Sequence, residues 1–122
     1  MTEYQVFNPE NQVSELQEME FSTLASFDTG HVGVFWSEAG GPGPWEMHPN
    51  SDELLHVIEG CAEIEILPSD TTQPSDLVKI DAGSFLIVPQ GLWHRHNMLA
   101  RTKEMYLSPA ETEHSNETDP RA

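Results

Sequence analysis

The sequence predicts an all-β fold in a single domain, of the sandwich, barrel or jelly-roll kind. Apolar residues fall in short runs, and several runs alternate apolar and polar residues with the period of two that half-buried strands show. Nine prolines and eight glycines punctuate the chain, and no long amphipathic stretch interrupts the pattern. A length of 122 residues suffices for one core and is short for two. We therefore expect one barrel domain over residues 1–108 with one site.

The strands are expected in the following order. Residues 15–27 fit either a short helix or one or two strands, and we favour strands because the apolar residues do not keep a helical period. The segment GHVGVFWSE predicts a strand that carries His31 and Phe35 on one face. After the break GGPGP, further strands are predicted at WEMH, ELLHVIEG, CAEIEILP, DLVKI, GSFLIVP, HRHNML and KEMYLSP. Gly60 marks a tight hairpin between the second and third of these.

The charge of the chain excludes several partner classes. Five basic residues against 21 acidic ones give a formal net charge of −16. A field of that sign repels phosphate backbones and anionic lipid, so we expect neither nucleic acid nor membrane as a partner. The first residues lack the pattern of a secretory signal, and no apolar run approaches the roughly 18 to 20 residues that span a bilayer. A soluble, cytoplasmic protein is the expectation.

Two further features bear on the organisation of the chain. The single cysteine, Cys61, has no partner for an internal disulfide, so the fold should not depend on oxidising conditions. Residues 109–122 are polar, contain two prolines and have no apolar period. This composition predicts a flexible C-terminal tail.

The first segment with chemical potential is GGPGPWEMHPNSDELLHVIEG. Residues two apart on a strand share a face, so Glu46 and His48 should project together. A turn beginning at Pro49 then reverses the chain, and Glu53 opens the returning strand. Two neighbouring strands can thus bring an imidazole and one or two carboxylates into one cluster.

The second segment is GSFLIVPQGLWHRHN. An apolar strand leads into a turn at 89–91, and the chain leaves that turn with His94. The same alternation places His94 and His96 on one face. If both segments line one barrel interior, His48, Glu53 and His94 converge.

These segments resemble the paired motifs of the cupin superfamily. The first family motif consists of Gly, five residues, His-x-His, three or four residues, Glu, six residues and Gly. In this chain those positions are held by Gly40, Glu46, His48, Glu53 and Gly60, so that a glutamate replaces the first histidine.

The second family motif consists of Gly, five residues, Pro-x-Gly, two residues, His, three residues and Asn. Gly83, Pro89, Gly91 and His94 match it, whereas the final position holds Met98 because the nearest asparagine falls one place early. The two motifs, at 40–60 and 83–98, resemble those of small single-domain cupins.

The resemblance implies a cupin double-stranded β-helix, or jelly-roll barrel, that binds one divalent metal ion. It implies His48, Glu53 and His94 as metal ligands, with Glu46 as a fourth. Two imidazoles and carboxylates leave coordination positions open, which suits Fe(II), Mn(II), Zn(II) or Ni(II). Because the additional carboxylate makes the set harder and more anionic, we expect Fe(II), Mn(II) or Zn(II) to bind better than softer ions, and we favour Fe(II) among them.

Several roles stay open at this point. Glu46 is a ligand, a catalytic general base near the metal, or a structural partner. His96 is a candidate catalytic acid or base, or a hydrogen-bonded core histidine. His56 should face the outside of its sheet, His31 has some chance of facing the cavity, and His114 lies in the predicted tail, where no role is expected.

For function, the favoured hypothesis is a metal-dependent enzyme, a non-haem iron-type dioxygenase-like oxidoreductase that acts on a small organic molecule. Isomerase or lyase chemistry at the same ion is nearly as well supported, since a fold does not select a reaction. The rival hypothesis is a non-catalytic barrel that binds or senses a small ligand. Small cupins resemble each other in forming dimers through their sheets, so a homodimer is expected.

Overall fold

The structure, a computed structural model, describes residues 4–121 and is almost entirely β. Within those residues the elements are α1 Pro9–Val13, β1 Ser22–Phe27, β2 Gly30–Ser37, β3 Trp45–Met47, β4 Glu53–Glu59, β5 Cys61–Ile66, β6 Asp76–Asp81, β7 Phe85–Val88, β8 His94–Met98, β9 Thr102–Pro109 and β10 Glu113–Ser115. They form two antiparallel sheets, ordered β1-β2-β9-β4-β7 (sheet A) and β10-β3-β8-β5-β6 (sheet B). The predicted all-β jelly-roll class is confirmed.

The N-terminal part differs from the prediction in one element. Strand β1 confirms the choice of strand within residues 15–27, but α1 precedes it. The side chain of Asn8 caps this helix by accepting a hydrogen bond from the Asn11 amide at 3.0 Å, and Pro9 occupies its first position. Val13 is fully buried against the barrel. Five residues are too few to show a helical period in the sequence, which is why α1 was not predicted.

The core lies between the two sheets and follows the alternation of the strands. In β4 and β5 every second side chain is buried, among them Leu55, Val57 and Ile64, each at most 2% exposed. Ile80 of β6 and Val88 of β7 complete this layer. Burying each such side chain contributes roughly 1.5–3 kcal/mol, so the core supplies the rigid frame on which polar residues at the same inner faces are held.

The C-terminal stretch, which composition predicts to be a flexible tail, contains a strand that pairs with the barrel. Strand β10 pairs with β3, with His114 opposite Glu46. Further along, the guanidinium of Arg121 lies 3.0–3.1 Å from three main-chain carbonyls in the loop 68–73. Main-chain pairing to a sheet edge needs no apolar periodicity, so composition gave no sign of it. No helix in the part of the chain that the structure describes is long and apolar enough to cross a bilayer.

Candidate metal centre

Four polar side chains meet on the inner faces of the two sheets. Glu46 lies on β3 and His48 directly after it, Glu53 opens β4, and His94 opens β8. Glu46 and His94 are paired across the neighbouring strands β3 and β8. One ligand atom from each of the four residues lies within 4.8 Å of the others. The structure thus brings together the four residues that the two motifs single out.

Glu53 is the centre of this cluster. Its Oε1 lies 2.9 Å from Nε2 of His94, and its Oε2 lies 3.1 Å from Nε2 of His48. The hydroxyl of Ser108 donates a hydrogen bond to Oε2 as well. Glu46 is more peripheral, with Oε2 at 4.0 Å from Nε2 of His94 and a side chain that is 32% exposed. The carboxylates therefore differ in depth: one is enclosed and one borders the cavity.

Main-chain carbonyls orient both imidazoles. Nδ1 of His94 donates to the Leu92 carbonyl at 3.2 Å, and Nδ1 of His48 donates to the Glu111 carbonyl at 3.2 Å. We assign the protons to Nδ1 from these partners, which turns both Nε2 atoms toward Glu53. Imidazoles that bind metals in proteins are commonly held in this way.

Two buried side-chain nitrogens among the described residues lack a hydrogen-bond partner, Nε1 of Trp45 and, within the cluster, Nε2 of His48. Nε2 of His48 is inaccessible to solvent, and although Glu53 is close, no hydrogen bond of acceptable geometry reaches it. A buried polar atom without a partner is costly, so one that points into a group of metal-binding side chains is consistent with an ion as its partner. The donor set of two imidazoles and two carboxylates, with this nitrogen aimed into the cluster, fits a divalent metal ion.

Glu53 is ionised in the form that binds a cation, whereas His48 takes up a proton more readily than a free imidazole. Burial alone would raise the pKa of Glu53, but the neighbouring His48 and His94 hold that pKa well below its ordinary range. Burial alone would lower the pKa of His48, but Glu53 raises it. Glu53 is thus present as a carboxylate, the form in which it binds metals.

A cavity of about 230 Å³ opens onto the cluster. One of its walls is apolar and largely aromatic, formed by Phe21, Phe35, Leu55 and Tyr106. The rings of Phe21 and Phe35 stack with centroids 4.4 Å apart. A cavity with one polar end and one aromatic wall suits a small organic molecule that has an oxygen donor at one end and a flat apolar body.

A second polar pair lines this cavity. Glu104 of β9 is fully buried, and both of its carboxylate oxygens lie 3.1 Å from Nε2 of His96. Burial alone would lower the pKa of His96, but the charge of Glu104 raises it to about 9. Glu104 was not singled out from the sequence. Its signal is a charged residue at an inward position of β9, where its neighbours two places away, Thr102 and Tyr106, are also buried.

The remaining histidines are divided between the two faces. His31 lines the cavity, and its ring meets the edge of Tyr106 at a centroid distance of 5.8 Å. His114, which the sequence placed in the tail, also lines the cavity, with Nε2 3.9 Å from Oε1 of Glu46. His56 alternates with the inward residues of β4 and pairs with an exposed residue of β7, as expected for an outward position.

Comparisons with known proteins agree with this architecture. A family model described as Cupin matches residues 3–117. A 69-residue stretch is 30% identical to the uncharacterized protein YdbB of Bacillus subtilis (strain 168). That stretch covers 57% of this chain and 56% of YdbB, so the match spans little more than half of the relative.

Solved structures show the same fold at low identity. BH2720 of Bacillus halodurans has a TM-score of 0.72 at 18% identity, over 92% of this chain and 86% of that one. Hydroquinone 1,2-dioxygenase PnpCD, solved with Cd²⁺ and 4-hydroxybenzonitrile, has a TM-score of 0.68 at 15% identity, over 85% of this chain and 72% of that one. Likeness at these identities concerns the fold alone. Together with the double-sheet barrel and the family model that covers nearly all of it, this establishes that the chain belongs to the cupin family.

Proposed function

We propose that this cupin is a metal-dependent enzyme of the oxygenase type that acts on a small organic molecule, with Fe(II) as the ion. The observation that carries the proposal is the cluster of four donor atoms within 4.8 Å at one end of a cavity with an aromatic wall. The dioxygenase that shares the fold was solved with a divalent cation and a one-ring phenol, which supports this choice of reaction.

In this proposal His48, Glu53 and His94 hold the ion, and Glu46 is the fourth ligand. When bound, a divalent ion supplies Lewis acidity toward substrate oxygen, and Fe(II) supplies electrons for reaction with dioxygen. Glu46 borders the cavity and is the ligand most readily displaced or reoriented when substrate enters, since its side chain is 32% exposed while that of Glu53 is 5% exposed.

The other lining residues bind and orient the substrate. Phe35 and Tyr106 pack against its flat body and exclude water from that side of the cavity. Glu104 holds His96 from behind through Nε2, which leaves Nδ1 as the donor of a hydrogen bond to a polar group of the substrate. His96 is therefore the residue that we assign to moving a proton to or from the substrate.

Oxygen consumption tests this function. Protein purified without oxygen and loaded with Fe(II) should consume dioxygen with at least one member of a panel of catechols, hydroquinones, thiols and 2-keto acids. His94→Ala should lose the activity, because His94 lies 2.9 Å from Glu53 and is fully buried in the cluster. His56→Ala is the matched control, since it removes an imidazole from an outward position of β4 and should retain activity.

The outcomes separate the competing functions. Tight binding of a panel compound without oxygen uptake or any product would contradict the enzyme and favour a ligand-binding barrel. Conversion of a compound without oxygen uptake would place isomerase or lyase chemistry at this site. Oxygen uptake that persists in His94→Ala would rule out the cluster as its source.

We also propose that the protein forms a homodimer through the outer face of sheet A. The outward side chains where β4, β7 and β9 pair form an outer patch that is apolar except for His56; its apolar members are Leu54, Phe85, Ile87, Met105 and Leu107. Phe85 is 62% exposed and Ile87 is 42% exposed. In a chain of net charge −16 a patch without acidic side chains is where two copies approach with least repulsion.

The oligomeric state checks the outer patch. Phe85→Glu should shift the protein from dimer to monomer in sedimentation velocity at micromolar concentration, because two buried carboxylates per interface would face an apolar surface. Leu99→Glu makes the same change at a residue of the β8–β9 loop that is 46% exposed, and it should leave the dimer intact. A monomeric parent protein, or a Phe85→Glu variant that stays dimeric, would refute this interface.

A further inference from the structure

The last part of the chain forms a C-terminal arm, residues 110–121, that crosses the metal centre. It leaves β9, passes beside His48, and adds β10 to the edge of sheet B beside β3. It then reaches the loop 68–73 that follows β5, where Arg121 is bound. The arm therefore contacts the barrel at His48 through its first residues and at the loop 68–73 through Arg121.

The first residues of the arm hold the His48 ring. The carbonyl of Glu111 accepts from Nδ1 of His48 at 3.2 Å, and the hydroxyl of Thr112 lies 3.0 Å from the same nitrogen. The Glu111 carboxylate accepts from Nδ2 of Asn50 at 2.9 Å, which ties the arm to the turn that follows His48. Among the described residues these are the hydrogen-bond partners of Nδ1, so the orientation of this ring depends on the arm.

The far end of the arm is fastened by a single guanidinium. Nη1 of Arg121 lies 3.0 Å from the Pro68 carbonyl, 3.1 Å from that of Asp70 and 3.0 Å from that of Gln73. Asp119 accepts from Nε at 3.1 Å and from Nη2 at 2.9 Å, which fixes the plane of the guanidinium. Among the described residues, the carboxylate that forms an ion pair with Arg121 is that of Asp119, within the arm itself. These contacts hold the end of the arm against the loop 68–73.

We propose that the C-terminal arm is a positioning element of the metal centre: Glu111 and Thr112 keep Nε2 of His48 aimed at Glu53, and Arg121 locks the arm in place. This inference rests on the proposed metal binding. A ligand whose ring is already oriented loses less freedom when the ion binds, and removal of the groups that orient it lowers affinity. His114, also on the arm, extends the cavity wall beside Glu46.

Zinc affinity tests the arm, measured by titration calorimetry with Zn(II) alone. A chain that ends at Ala110 should bind Zn(II) about 10- to 100-fold more weakly than the full chain, the range expected when the partner of a ligating histidine is lost. Arg121→Ala should weaken binding by a smaller factor, because the contacts of Glu111 and Thr112 then persist for only part of the time. Arg101→Ala is the matched control: it removes the same charge from an arginine that stacks on Trp36 away from the arm, and it should bind as the parent does.

A second readout follows the His48 ring directly. In the zinc-loaded parent protein, the Nδ1 proton of His48 should be visible in ¹⁵N-edited spectra and should exchange slowly with water, because the Glu111 carbonyl covers it. In Arg121→Ala that proton should exchange faster, while the corresponding proton of His94, held by Leu92 outside the arm, should be unchanged. A merely structural role of the arm would affect both protons alike.

The outcomes are distinguishable from those of the proposed function. Absence of Zn(II) binding by the full chain would overturn the metal centre itself. Binding by the full chain with equal affinity in the shortened chain and in Arg121→Ala would overturn the arm's role and leave the metal centre standing. Should the shortened chain fail to fold, Arg121→Ala alone decides: unchanged affinity together with unchanged exchange at His48 refutes the proposal.

Discussion

Replacing Glu53 by Gln is expected to abolish metal binding at micromolar concentrations, with a dissociation constant raised by at least about 100-fold, beyond the effect of losing a partner of a ligand. The reason is geometric. Glu53 is the one residue of the cluster that contacts both imidazoles, at 2.9 Å and 3.1 Å, and it supplies the buried negative charge that a divalent cation requires. Titration calorimetry with Mn(II) or Zn(II) measures the loss, and the isosteric substitution keeps the packing around Ser108.

Glu46→Gln provides the matched comparison for that experiment. It removes the same charge from the same cluster, but at a position that is 32% exposed and 4.0 Å from Nε2 of His94. We expect a loss of about 10-fold, since water can take over a ligand position that borders the cavity. Equal losses in the two variants, or a larger loss in Glu46→Gln, would contradict the difference in depth between the carboxylates and would make Glu46 the principal anionic ligand.

The contrast between the two glutamates also shows which features of the site a sequence pattern predicts. Alternation along a strand decides which face a side chain occupies, and for this reason the shared faces of Glu46 with His48 and of His94 with His96 were predictable. The depth of each carboxylate depends on the neighbouring strands and on the closing of the barrel. Local pattern contains no such information.

The contacts that orient the site were beyond the sequence for a related reason. The main-chain carbonyls of Leu92 and Glu111 orient the two imidazoles. Because every residue type has a main-chain carbonyl, the identity of these residues does not predict that role. Glu111 and His114 reach the site because β10 pairs with an edge strand through its main chain. The composition of residues 109–122 predicted a flexible tail, because composition reflects how much apolar surface a segment can bury and not whether its main chain can pair with a strand.

Glu104 represents an intermediate case. Its place in KEMYLSP, two residues before Tyr106, puts a carboxylate at an inward position, and a buried charge demands a partner. The sequence thus contained a signal for a buried ion pair. The identity of the partner, His96, required the two sheets to face each other.

The glycine turn between β4 and β5 gives the largest expected effect on stability. Gly60 has a backbone φ of +96°. A Cβ added there would lie 2.2 Å from the carbonyl oxygen of Arg101 and 2.8 Å from Cα of Thr102. Thr102 cannot retreat, because it is fully buried and its hydroxyl accepts from the Cys61 amide at 3.1 Å. Gly60→Ala combines the strain of a left-handed conformation with overpacking against main chain, and it should lower the free energy of unfolding by about 2–5 kcal/mol.

Gly83→Ala separates those two contributions. Gly83 has φ +89, close to that of Gly60, but a Cβ there meets nothing within 4 Å. Only the backbone strain remains, so the expected loss is about 1–2 kcal/mol. Urea denaturation of both variants without metal gives the two free energies, and a common slope against urea would show that the unfolded states are comparable. Equal losses of unfolding free energy in the two variants would mean that the start of β9 moves away from the β4–β5 turn without cost. The turn would then not contribute to the rigidity of the sheet that contains Glu53.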